Sequence, residues 1–229
     1  MKVLLCGACG KMGREVRRLI DERDDITLAA AVDIAGDGAD IPIFSDIFRV
    51  TCESDVILDF SAPSAAVGVC SYAKSKKLPL VMATTGHNAE QTAKIYDAAN
   101  YVPVFLSANM SRGAALLCEL AEIASKNLPN SDIGVVETHR KNKLDSPSGT
   151  ALALARSTGR DDVSIRSLRL GETLGEHEII FCTEREELRI SHRVLSRRTF
   201  AMGALDAARA VIGRKAGLYG MSILYREGK

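Results

Sequence analysis

Gly7-Ala8-Cys9-Gly10-Lys11-Met12-Gly13 constrains the fold more than any other stretch of this chain. It joins an apolar run, Lys2–Cys6, that reads as a β-strand to a segment in which Val16, Leu19 and Ile20 share one face of a helix. Glycines at such a junction let the backbone turn sharply and approach a pyrophosphate. The helix N-terminus adds unpaired N–H groups and the positive end of a dipole. Asp33 ends a second strand, 20 residues past Gly13, where a carboxylate can accept hydrogen bonds from a ribose. The spacing is G-x-x-G-x-x-G, not the commoner G-x-G-x-x-G, so a turn serving only close strand–helix packing stands beside the dinucleotide reading. Its place at the first turn, together with Asp33, favours a dinucleotide held by Gly7, Cys9, Gly10, Lys11, Met12, Gly13 and Asp33.

The first hundred residues alternate short apolar runs with helical patterns, as βαβ units do. Strands are expected at Thr27–Val32, Val56–Phe60, Leu80–Ala83 and Val102–Leu106, with helices around Ser64–Lys74 and Ala89–Asn100. They predict an open, doubly wound, Rossmann-like parallel sheet covered on both faces. After Asn109 the rhythm changes. A helix from Gly113 to about Leu128 leads to a strand at Ile133–Glu137, a polar loop and a helix from Ser148. Strands at Ile165–Leu170, Glu178–Thr183 and Leu188–Val194 follow on short polar connections that suit a mixed sheet. A helix at Thr199–Ile212 and a short tail at Leu218–Tyr225 close the chain. The fold class is therefore α/β, a Rossmann-like sheet followed by an α+β domain with a mixed sheet.

Composition excludes some partners. The 30 Lys and Arg balance 29 Asp and Glu to a formal net charge of +1, with no block of like charge, which removes the electrostatic case for a nucleic-acid binder. Apolar runs fall short of the roughly 18 residues of a membrane span. The first is too short for a secretory leader, so a soluble, cytoplasmic protein is expected. The six cysteines, Cys6, Cys9, Cys52, Cys70, Cys118 and Cys182, are scattered and read as small buried hydrophobes instead of a disulfide framework. Cys6 and Cys9 form a C-x-x-C pair, but across a strand end and a glycine turn, which disfavours a redox motif.

Two segments fall just beyond strand C-termini, where an open sheet presents ligands: Phe60-Ser61-Ala62-Pro63 and Ala83-Thr84-Thr85-Gly86. Their small and hydroxyl-bearing residues can admit a ribose or nicotinamide, or serve as ordinary turns and helix caps. The segment Glu137 to Ala151 sets His139 among Arg140, Lys141 and Lys143 and ends in Pro147-Ser148-Gly149-Thr150 at a helix start. The N–H groups of Gly149 and Thr150 and the hydroxyls of Ser148 and Thr150 can converge on one carboxylate. A histidine beside such a cradle suits general acid work, because it titrates near neutrality. A solvated basic loop before a capped helix is the alternative. No metal is expected, since His139, His177 and His192 show no ligand spacing with the cysteines.

Taken in order, Gly7–Gly13, Asp59-Phe60-Ser61-Ala62-Pro63, Ala83–Gly86, Ser107-Ala108-Asn109-Met110-Ser111, Glu137–Ala151, Gly175-Glu176-His177 and Gly217-Leu218-Tyr219-Gly220-Met221 resemble the dihydrodipicolinate reductase family over nearly the whole chain. The Glu-x-His-x-x-x-Lys-x-Asp-x-Pro-Ser-Gly-Thr-Ala pattern is its most specific part. The resemblance implies a dinucleotide domain of residues 1–108 with 202–229, and a substrate-binding and assembly domain of 109–201 that builds a homotetramer. It implies His139 as proton donor, Lys143 as its accompanying cation, and Gly149 with Thr150 as a carboxylate clamp. Thr84, Thr85, Gly86, Ser107, Asn109 and Met110 would neighbour the nicotinamide, with Phe60 and Ser61 beside the cofactor. Arg140 stands where the family often has a second histidine, and can hold a carboxylate without titrating. The segment after Ala155 is also short.

The implied reaction is hydride transfer from NADH or NADPH to a cyclic imine dicarboxylate. Asp33 would repel the extra phosphate of NADPH, Ile34 follows it in place of an arginine, and Lys11 can repay only part. NADH is thus expected to be modestly preferred. Two rival readings are another NAD(P)-dependent amino- or imino-acid dehydrogenase and a non-catalytic nucleotide sensor. The first gives no reason for the cradle beside His139; the second would have lost His139 or Lys143.

Overall fold

The computed structural model describes residues 1–35 and 43–226; the parts of the expected dinucleotide domain at 36–42 and 227–229 lie outside the described residues. The chain divides into two compact units, Met1–Met110 with Phe200–Lys229, and Ser111–Thr199.

The first unit is built on a parallel sheet of seven strands. These are β1 (Lys2–Cys6), β2 (Thr27–Val32), β3 (Ile43–Phe44), β4 (Val56–Asp59), β5 (Leu80–Met82), β6 (Pro103–Leu106) and β11 (Gly217–Tyr219), in the order β11-β6-β5-β4-β1-β2-β3. Period-two alternation sends Val3, Leu5, Val56 and Leu58 to one face and Leu4, Cys6 and Ile57 to the other. The first face is covered by α1 (Lys11–Asp21) and α6 (Arg198–Val211), the second by α2 (Ala66–Lys76) and α3 (Ala89–Ala98). Small side chains let α6 sit close. A Cβ on its Gly203 would lie 1.7 Å from the Met110 carbonyl oxygen. The strand order reverses at β1, between β4 and β2, which opens the crevice where such sheets take ligands.

The second unit packs α4 (Arg112–Asn127) and α5 (Gly149–Ser157) on one face of a mixed four-stranded sheet. Its strands are β7 (Asp132–His139), β8 (Ser164–Arg169), β9 (Glu176–Cys182) and β10 (Glu187–Arg193), in the order β10-β9-β7-β8, with only β7 and β8 parallel. The register sets Ile165, Val135, Ile179 and Ile190 in one row across the inner face. The next row is polar: Ser167, Glu137, His177 and His192.

Several expected boundaries shift. β7 runs two residues beyond Glu137, so His139 ends a strand and not a loop, because β8 pairs with it out to Arg169. The C-terminal tail resolves into β11, parallel to β6, and a short helix α7 (Ile223–Arg226). The two-residue β3 carried no periodic signal. The cysteines are all free, yet Cys52 and Cys182 are exposed, because Cys52 lies in the loop before β4 and Cys182 ends β9.

Candidate active site

Glu137 organises the chemical end. Ile133, Val135, Glu137 and His139 share the buried face of β7, and the last two carry that face past the edge of the apolar core. The Glu137 carboxylate is fully buried and accepts from both arms of the Arg169 guanidinium, at 2.9 and 3.0 Å. It also accepts from the Ser148 backbone N–H at 3.2 Å and forms a short contact with His139 Nδ1. Burial pushes the Glu137 carboxyl up, but hydrogen bonds from Arg169, Ser167 and His139 outweigh it and hold the group at about 2. A carboxylate at Nδ1 fixes the His139 ring and leaves Nε2 for a reacting partner. Burial draws His139 below its ordinary value; Glu137 opposes that, while Lys143 and Arg169 add to it.

Arg169 also accepts no role from sequence patterns alone, yet it donates to the carbonyl oxygens of Lys143 at 3.4 Å and Asp145 at 2.6 Å, so it anchors the loop that carries Lys143. The Lys143 ammonium pairs with Asp145 at 2.7 and 2.9 Å. Arg140 is half-buried, and its carbonyl closes the turn by accepting from Lys143 N–H at 3.1 Å. Ser148 caps α5 by accepting from Ala151 N–H at 3.2 Å, placing Gly149 and Thr150 in the first turn. His177, opposite Glu137 on β9, bonds Ser148 Oγ through Nε2 at 3.2 Å and meets the His139 ring edge-to-face at 5.1 Å. The resemblance brings His177 into view without a role, and no motif of the sequence contains Arg169. The signal for both was alternation on β8 and β9, which places them on the same face as His139 once the register is known.

At the nucleotide end, the three glycines have different duties. Gly7 has φ +77°, and a Cβ there would lie 2.3 Å from the Phe60 carbonyl oxygen; one on Gly13 would lie 2.1 Å from the Gly7 carbonyl oxygen. Both are required by packing. Gly10 is exposed and, with Gly7, Asp33, Phe60 and Ser61, lines a cavity of about 420 Å³ at the crevice beside β1. Asp33 accepts from Cys9 N–H at 2.8 Å and Ala35 N–H at 2.9 Å, which ties the end of β2 to the glycine turn. Lys11 opens α1 with an exposed side chain, while Met12 packs against the core.

The remaining predicted residues do not line that cavity. Thr84 is buried and donates to Asp59 at 2.6 Å, and Ser61 donates to the same carboxyl at 2.5 Å, so one buried acid ties the loops after β4 and β5. Burial raises the Asp59 pKa, with Ser61 and Thr84 opposing. Thr85 is exposed and Gly86 has φ +84°. Ser107 donates to the Asn109 carbonyl at 2.8 Å, and the Met110 side chain belongs to the core. The start of α1, capped by no side chain, and the Asp33 carboxylate beside Gly10 on the same cavity fit a dinucleotide. Cys6 is buried, which pushes its thiol well up and removes the redox reading of the C-x-x-C pair.

Comparison with known proteins agrees with this architecture. Residues 1–110 match the family profile described as "Dihydrodipicolinate reductase, N-terminus", and residues 113–224 the one described as "Dihydrodipicolinate reductase, C-terminus". A 4-hydroxy-tetrahydrodipicolinate reductase from Caldanaerobacter subterraneus subsp. tengcongensis is 36% identical, covering 100% of this chain and 99% of its own. One from Rubrobacter xylanophilus is 38% identical, covering 96% of each. Among solved structures, the dipicolinate-bound dihydrodipicolinate reductase from Paenisporosarcina sp. TG-14 superposes with a TM-score of 0.82 at 23% identity, covering 96% of this chain and 98% of that one. Aspartate dehydrogenase from Thermotoga maritima shares the fold more distantly, with a TM-score of 0.59 at 13% identity over 94% of this chain and 98% of its own. With both profiles matched in order along almost the entire sequence, the chain belongs to the dihydrodipicolinate reductase family.

Proposed function

We propose that the chain reduces 4-hydroxy-tetrahydrodipicolinate, by way of dihydrodipicolinate, to tetrahydrodipicolinate in lysine and diaminopimelate biosynthesis. The observation that carries this reading is a histidine held by a buried carboxylate next to the N-terminus of a helix, the arrangement a proton donor beside a carboxylate clamp requires. Residues 1–108 with 202–229 bind the cofactor through Gly7, Cys9, Gly10, Lys11, Met12, Gly13, Asp33, Phe60, Ser61, Thr84–Gly86 and Ser107, joined by Asn109 and Met110 just past the first domain boundary. Bound there, NADH or NADPH supplies the hydride. Residues 109–201 bind the cyclic imine dicarboxylate and assemble the homotetramer in the cytoplasm. Among the described residues no helix is long and apolar enough to cross a membrane.

The protein's own part is positioning and proton delivery. Ser148, Gly149 and Thr150 hold one substrate carboxylate with hydroxyls and helix-start N–H groups, and Arg140 meets a second charge. Reduction of the conjugated ring builds negative charge that Lys143 stabilises and a proton from His139 Nε2 discharges; Glu137 steadies the imidazolium that donates it. The test is nicotinamide oxidation with freshly made 4-hydroxy-tetrahydrodipicolinate. His139→Gln should cut turnover roughly a hundredfold or more with cofactor affinity nearly unchanged, the usual cost of losing a general acid. Turnover near wild type would refute the assignment.

A further inference from the structure

His177 carries more than a strand position requires. It is 1% exposed, its Nδ1 is buried without a hydrogen-bond partner, and its Nε2 is 3.2 Å from Ser148 Oγ. A buried imidazole with one nitrogen left unpartnered is costly unless its one hydrogen bond is worth keeping. Of the two neutral tautomers, the one with the proton on Nε2 leaves only a lone pair orphaned at Nδ1, whereas the other would orphan an N–H, the rarer defect in protein interiors. His177 is neutral at pH 7, since burial brings it down to about 4. Ser148 Oγ then accepts twice, from His177 and from Ala151 N–H, and its own proton is left over.

We infer that His177 is a positioning residue for the anion cradle: by donating from Nε2 to Ser148 Oγ, it makes the Ser148 hydroxyl a donor to a carboxylate at the start of α5. The inference rests on the reductase reading for the identity of that carboxylate. The same ring packs against His139, and a Cβ on Gly175 would lie 3.1 Å from His139 Nε2 and 3.7 Å from His177 Cε1, so the two imidazoles share one confined space.

Two conservative variants separate this role from bulk packing. In His177→Gln the side-chain amide can reach the place of Nε2, whereas in His177→Asn it stops at the place of Nδ1. His177→Asn should weaken dipicolinate binding, read by calorimetry, and raise the substrate KM about tenfold, the scale of one lost hydrogen bond, while the cofactor KM stays put. His177→Gln should stay within about threefold of wild type. On a Ser148→Ala background, His177→Asn should add no further loss. Equal binding by the Asn variant, a Gln variant no better than Asn, or additive losses with Ser148→Ala would each overturn the inference. A wild type that binds dipicolinate but shows no reductase turnover would instead sink the functional reading, and the binding comparison would still decide the role of His177.

Discussion

Glu137 shows how one side chain can hold several others to their tasks. Its carboxylate contacts the proton-donor candidate, an arginine fork and the backbone of a helix cap at once. A negative charge at Nδ1 favours the protonated ring, so Glu137→Gln should lower the His139 pKa further. The sign is definite: a rate that needs the imidazolium then declines at lower pH than in wild type. The pH profile of kcat/KM checks it, and an unmoved profile would reduce Glu137 to an anchor for Arg169. A second prediction at this scale concerns Asp33, which two N–H groups hold at the mouth of the cavity. A fixed carboxylate there disfavours a 2′-phosphate, and exposed Lys11 contributes little against solvent screening. NADH should have a modestly higher kcat/KM than NADPH, and Lys11→Ala should widen the gap slightly. A strong NADPH preference in wild type would contradict this use of Asp33.

Among the elements, α5 bears most directly on substrate. It has nine residues, and its start places Gly149 and Thr150 one and two residues past the cap. Thr150→Val removes a hydroxyl and keeps the backbone donors, so the substrate KM should rise several-fold. Normal kinetics with a lowered Tm would make Thr150 a structural residue only. The sequence made α5, the glycine turn and most strands of the first sheet legible, because each is short-range: a cap, a turn, an alternating run. It hid the end of β7, where Thr138-His139-Arg140-Lys141 reads as a polar loop. Only the pairing of His139 with Arg169, 30 residues away, makes it a strand. Arg169 and the register of His177 were hidden for the same reason, since no local pattern tells which residues of β8 and β9 lie beside β7.

Among the described residues of the second unit, α4 and α5 cover one face of its sheet and no helix of that unit covers the other. Val136, Leu168 and Ile180 point away from α4 and α5, and Leu168 is 47% exposed. Apolar residues on an open sheet face suit self-association. Light scattering should give a tetramer, and Leu168→Glu should lower the mass without altering the circular dichroism. A wild-type monomer would refute the proposed assembly. The discontinuity of the first unit has an effect on the making of the protein. Ala201, Ala204, Leu205, Ala208 and Val211 of α6 cover the sheet formed by the first hundred residues. On the ribosome the part of that face that α6 covers stays bare until residues 198–211 have been made, whereas residues 111–199 form a compact unit that is continuous in sequence. Translation therefore completes the unit of residues 111–199 before that of residues 1–110, and the strands made earlier are the ones that need shelter from aggregation longer.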